Sequence, residues 1–372
     1  MGYFCHTVNL VYDNIEIMNV VINDPRCCGV AYGLDIQLVN GLWVGNLPHP
    51  CRLKLLIYRS LWNTQNMEKR KFKEGEANHV YQRTVSGFNI FYDVEDYIVY
   101  YTIFSVLAVR YDIIVYGLCL MIDHVHSLFT SRSASTMSRF ISHVTSLFVK
   151  EYNSAHDRIG PLFEERFGSS VKSGIKLLRT AISYLYNNPV EKMLCSRAQD
   201  YRWNFLAYAH SRNPFSNKII RKEASSKLRR IIKEIDYEAG RGMYLSYPQL
   251  RRMLSGLEKE ERNQIIDYII SRYSVIRYDL LEGCYGGHDN MLMAINSNAG
   301  SEYEINEVKY VKYDREYREL IRYVREHGFK HAGDVISLSD NEKFDLYGSL
   351  SACSSANRMQ IGKFLHFQVE YK

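Results

Sequence analysis

Two histidines one residue apart, His124 and His126, close the apolar run Tyr116-Gly-Leu-Cys-Leu-Met121-Ile-Asp-His124-Val-His126. Successive side chains on a strand point to opposite faces, so both imidazoles share one face and Val125 turns to the other. About sixty residues on, Tyr184-Leu-Tyr-Asn-Asn188-Pro189 offers a tyrosine and a carboxamide four positions apart. That spacing puts Tyr184 and Asn188 on one helical face, with Tyr186 turned roughly 200° away. Two imidazoles and an amide oxygen make a ligand set compatible with Mg2+ or Mn2+ when substrate phosphate completes the shell. A metal that polarises a phosphoryl oxygen beside a tyrosine hydroxyl describes phosphoryl transfer through a covalent protein intermediate. Each residue alone has a plainer reading. The two histidines would equally be one core and one surface residue, and Tyr184 on its helix pattern is a packed aromatic.

The elements that must position these residues follow from periodicity. His79–Val85 alternates as a strand, and Asp93 reads as the N-cap of a helix running to about Arg110. Residues 112–121 and 124–129 read as two further strands, 137–152 as an amphipathic helix and Leu162–Phe167 as a fourth strand. A helix over 175–186 is expected to end around Pro189. The order β-α-β-β-α-β, then α, is that of an α+β, ferredoxin-like split βαβ domain, an antiparallel sheet with helices on one face. Residues 215–372 read as mostly helical. They include a basic helix over Lys218–Lys233 and, at 340–350 and 354–365, two helices compatible with a helix-turn-helix.

Four motifs occur in an order and spacing that resembles the HUH-type tyrosine transposases, the REP-associated branch above all. They are Met121-Ile-Asp-His124-Val-His126, Gly160-Pro-Leu-Phe-Glu-Glu-Arg166-Phe, Tyr184-Leu-Tyr-Asn-Asn188-Pro-Val and Asp200-Tyr-Arg-Trp203. The resemblance spans roughly His79–Tyr208. It implies a transposase that cleaves and rejoins hairpin-containing single-stranded DNA without an external energy source. Tyr184 matches the nucleophile that yields a 5′-phosphotyrosine and a free 3′-OH. His124 and His126 match the metal ligands, and Asn188 the polar residue completing a Mg2+ or Mn2+ site. The family usually has Asn before the first histidine, whereas this chain has Asp123. That substitution adds charge beside the metal or a contact to a histidine. The other reading is a catalytically silent, host-adapted protein that kept the fold and binds DNA hairpins.

Cations suited to DNA phosphates are Arg83, Arg166 and Lys172 on or beside the strands, Arg221, Lys222, Arg229 and Arg230 in the basic helix, and Arg358 and Lys363 on the last helix. For any one of them, solvated surface charge is the blander account. The net charge of +6 favours a polyanionic partner. Oligomeric state stays open, and with it whether the tyrosine helix serves its own histidines or those of a second copy in a homodimer.

Residues 1–66 stand apart, with four Lys/Arg and four Asp/Glu, about half the charge density of the rest. They read as an accessory β-rich extension or as sequence ahead of a true start near Met67. The expected organisation is therefore an extension over 1–66, a catalytic domain over 67–210 and a helical region over 211–372. Eight cysteines without a C-x-x-C pair or zinc-type spacing favour a reduced compartment. With neither a signal-peptide pattern nor an apolar run of about 18 residues, a cytoplasmic, nucleoid-associated bacterial protein is expected, with no membrane partner and no small-molecule cofactor.

Overall fold

In the computed structural model, residues 71–164, 167–297 and 315–367 are described together with the backbone of four earlier strands. The chain divides into two compact units, Met1–Lys69 and Arg70–Lys372. In the first, β1 (His6–Tyr12) pairs antiparallel with β2 (Ile15–Ile22), and β3 (Asp35–Val39) with β4 (Leu42–Asn46).

The second unit is built on a four-stranded sheet: β5 (Ala77–Arg83), β6 (Ile114–Leu120), β7 (His124–Thr130) and β8 (Gly168–Lys172). Its spatial order is β6-β7-β5-β8, and every neighbouring pair is antiparallel. With α1 (Val94–Arg110) after β5 and α2 (Ala134–Ala155) after β7, this is the ferredoxin-like arrangement read from the sequence. Asp93 caps α1 reciprocally with Asp96.

The period of two divides the sheet cleanly. One face carries Val80, Gln82 and Val125, and Gln82 Nε2 donates to Thr145 Oγ1 of α2. Here α1 and α2 interlock through Tyr100, Phe104, Phe140 and Phe148, all fully buried. The opposite face carries His79, Tyr81, His124 and His126 and receives α3 (Gly174–Glu191). Gly117 of β6 lets α3 approach closely, because a Cβ there would lie 3.1 Å from Leu185 and 3.2 Å from the Tyr186 hydroxyl.

Some element bounds differ from the expected ones. The fourth strand begins at Gly168, after the expected Leu162–Phe167. Phe163 instead makes an isolated bridge to Thr84, and residues 165–166 lie outside the described residues. Helix α3 runs through Pro189 to Glu191. A proline in the last turn removes one backbone donor, so the helix can finish around it.

The remaining helices are α4 (Ser226–Gly240), α5 (Tyr247–Leu254), α6 (Lys259–Arg272), α7 (Tyr278–Tyr285), α8 (His288–Ser297), α9 (Arg315–Glu326), α10 (Asp340–Cys353) and α11 (Arg358–Leu365). The expected Lys218–Lys233 helix starts only at Ser226, where Ser225 caps Leu228, so Arg221 and Lys222 lie in a preceding turn. Helices α5 and α6 pack behind α1. There the Leu245 amide donates to Thr102 Oγ1, and the Tyr101 hydroxyl donates to the Ile270 carbonyl. The chain then covers the open edge of β6, where Val115 bridges Ile276. No helix among the described residues is long and apolar enough to cross a membrane.

Candidate active site

His126 is almost fully buried, and both of its ring nitrogens are engaged. Nδ1 lies 3.0 Å from His79 Nε2, and Nε2 lies 3.1 Å from Asn188 Nδ2. The His79 and His126 rings stack at 5.1 Å, 12° from parallel. Burial holds the His126 pKa well below the usual imidazole range, and the positive surroundings of His124, Arg83 and Lys192 push the same way. A neutral imidazole is the form that ligates metal.

Tyr184 meets this pair edge-on, its ring centroid 5.5 Å from those of both His79 and His126. The i, i+4 relation then brings Asn188 onto the same imidazole. Strand β7 and helix α3 thus bring His126, Tyr184 and Asn188 together. Asn188 is buried, and its Oδ1 accepts no hydrogen bond. A buried acceptor without a partner costs about 1–3 kcal/mol. A cation drawing on that lone pair would remove the cost.

His124 stands perpendicular to His126, with ring centroids 4.9 Å apart. Its Nδ1 is 2.5 Å from Asp123 Oδ1. Burial alone would raise the Asp123 pKa. Attraction and hydrogen bonding to His124, helped by Lys363 and Lys192, outweigh it and hold the carboxyl near 2. Asp123 therefore contacts a histidine as an ionised acceptor, one of the two roles its substitution for Asn suggests. The Thr84 amide and hydroxyl both donate to the Asp123 carbonyl and fix the turn that carries it.

The site surface extends along β5. In register, Arg83 faces His124 and Tyr81 faces His126. Arg83 is exposed, with its guanidinium 5.5 Å from the Tyr81 ring centre. Lys172, opposite Ala77, ends β8 on the same face. Lys363 on α11 sits against Gly87 and close enough to Asp123 to lower its pKa, while Arg358 begins α11 in solvent.

Arg229 and Arg230 lie on the exposed side of α4, whose apolar side packs toward α6 behind α1. With Arg221 and Lys222 they are not brought to the histidines, because the sheet and the α1 layer intervene. Arg166 is outside the described residues.

His79 is the site residue that the sequence reading passed over. Alternation along β5 puts it on the same face as Tyr81 and Arg83. Only the β5–β7 register, which single-strand patterning does not carry, puts it beside His126.

Residues 78–188 match the family model described as "Transposase IS200 like". No curated protein matches significantly. A solved structure described as a REP-associated tyrosine transposase bound to a REP hairpin aligns at 13% identity and a TM-score of 0.34. That alignment covers 43% of this chain and 94% of that one.

Proposed function

With residues 78–188 an IS200-like transposase core, we propose that the chain cuts and rejoins hairpin-containing single-stranded DNA through Tyr184. One observation carries this reading: Tyr184 and Asn188, on one face of α3, meet the paired histidine strand at His126, within the matched span. The hairpin substrate is the one the motif resemblance implies.

In this reading Tyr184 Oη forms a bond to a DNA phosphorus while the bond to the 3′-oxygen breaks. The products are a 5′-phosphotyrosine and a 3′-hydroxyl that takes up one proton. Attack by a 3′-hydroxyl on the phosphotyrosine reverses the step, and because the phosphoester is kept no nucleotide is consumed.

His124, His126 and Asn188 would hold Mg2+ or Mn2+. The neutral state of His126 and the unpartnered Asn188 oxygen fit that role. A divalent ion there supplies Lewis-acid polarisation of the phosphoryl oxygen. His79 and Asp123 each bond one nitrogen of a ligand histidine and so fix ring orientation and tautomer.

Arg83, Lys172 and Lys363 border the same face and would meet flanking phosphates. The cations of α4 and its preceding turn, with Arg358, would engage DNA only where it extends beyond the catalytic face. The tyrosine and histidines meet within one chain, which supports action in cis.

The test is incubation of the protein with a labelled hairpin oligonucleotide and Mn2+, followed by denaturing electrophoresis. A covalent adduct lost in Tyr184→Phe is expected. Tight hairpin binding without an adduct under any divalent metal would overturn the reading in favour of a silent hairpin-binding protein. Retained cleavage in Tyr184→Phe would point to an unrelated metal hydrolase.

A further inference from the structure

A second cluster of ligand atoms lies away from the tyrosine site. His210 Nε2 is 2.7 Å from Glu282 Oε1, and His288 Nδ1 is 3.3 Å from the same oxygen. All three ligand atoms fall within 4.8 Å of one another. The two imidazole rings stack at 3.7 Å, 18° from parallel. We propose that His210, Glu282 and His288 bind a borderline transition-metal ion of the Zn2+ class, a site distinct from the catalytic one.

The chemistry favours this over a network of hydrogen bonds. Glu282 Oε1 is hydrogen-bonded to His210, whereas the buried Nδ1 of His288 points into the same cluster without a hydrogen-bond partner. A divalent ion takes two neutral imidazoles and one carboxylate, a ligand set familiar for zinc. The His288 separation of 3.3 Å matches the edge of about 3.3 Å expected for a tetrahedron with bonds of about 2.0–2.1 Å, and the 2.7 Å hydrogen bond from His210 would open to that length around an ion. Nitrogen-rich ligation selects Zn2+, Co2+ or Ni2+ over Mg2+. Another cluster, Asp93, Glu95 and His331, lacks this opportunity. Arg325 and the Gly333 amide already occupy Asp93, and Arg262 pairs with Glu95.

The position gives the ion a structural purpose. His210 follows the turn at Leu206–Tyr208, Glu282 lies on α7 and His288 opens α8. Helices α7 and α8 are the elements that brace α3. Asn187 donates to the Ile295 carbonyl, Arg179 donates to the Cys284 carbonyl, and the Tyr285 hydroxyl donates to the Arg179 carbonyl. An ion tying the three segments together would clamp this brace against the helix that carries Tyr184.

The experiment is titration of the metal-depleted full chain with Co2+, read by the visible absorption of tetrahedral Co2+, and with Zn2+, read by the shift in thermal midpoint. The His124→Ala/His126→Ala variant should keep the Co2+ bands and the Zn2+ shift. The His210→Ala/His288→Ala variant should lose both. Glu282→Gln, which keeps shape and can still hydrogen-bond His210, should bind Co2+ at least tenfold more weakly, so the result does not hinge on folding of the double variant. Bands unchanged in Glu282→Gln and in His210→Ala/His288→Ala would overturn the proposal, as would bands abolished by His124→Ala/His126→Ala alone. Neither result bears on adduct formation at Tyr184.

Discussion

His79 Nε2 lies 3.0 Å from Nδ1 of His126, one of the residues proposed to hold the metal. Partners of this kind set the tautomer and aim of a ligand, and losing one typically costs 10- to 100-fold in metal affinity. His79→Ala should therefore raise the Mn2+ concentration needed for half-maximal adduct formation by roughly tenfold or more. The maximal yield should change less than that. His79→Gln, which returns a side-chain nitrogen, should recover part of the affinity. A Mn2+ dependence equal to that of the parent protein would show that His79 is only a packed ring.

The Tyr81 ring lies across Gly168, so a Cβ there would stand 2.0 Å from Tyr81 Cζ. The ring is flanked by His79, His126 and Arg83, so it can swing aside only by giving up those contacts. Gly168→Ala should destabilise the unit by about 1–3 kcal/mol, measured by urea unfolding. Removing the ring should relieve the clash, so the double variant Gly168→Ala/Tyr81→Ala should be more stable than the sum of the two single changes predicts.

How far the site was legible depended on the kind of information each residue needed. His124 and His126 required only the two-residue period, and Tyr184 with Asn188 only the helical one. Strand pairing brings the two motifs to one place, and the βαββαβ order was enough to anticipate that. The fourth strand was misplaced because Leu162 and Phe163 are buried and look strand-like. The true strand, Gly-Ser-Ser-Val-Lys, is polar and glycine-led, since its first residue must pass under Tyr81. The His210–Glu282–His288 cluster left no local signal, because its members come from three segments joined only by tertiary packing.

Asp267 on α6 is fully buried and holds the segment that follows the transposase-like region in place. It accepts from the Tyr208 hydroxyl, the Phe215 amide and the Ser216 hydroxyl, and it pairs with Arg202 at 3.3 Å. Asp267→Ala would strand these donors and leave a partly buried guanidinium unpaired. A loss of roughly 3–5 kcal/mol is expected in urea unfolding. A loss under about 1 kcal/mol would mean that water or rearrangement satisfies the donors instead.

His366 closes α11 in a left-handed conformation, φ +52°, stacks on Phe88 at 4.6 Å and bonds the Asn89 carbonyl through Nε2. Burial lowers its pKa to about 3 and nearby positive charge adds to the effect, although the Asn89 carbonyl pulls the other way. The unfolded chain, with an imidazole near the usual 6.5, therefore binds the proton more readily than the folded one. The contribution of His366 is complete above pH 6.5 and declines as pH falls from there toward 3. His366→Asn tolerates the left-handed backbone, retains a donor and does not titrate. Between pH 7 and pH 5 the parent protein should lose stability on the order of 1 kcal/mol more than the variant, read from urea midpoints at each pH. Equal losses would show that another group controls the acid sensitivity of the α11 contact.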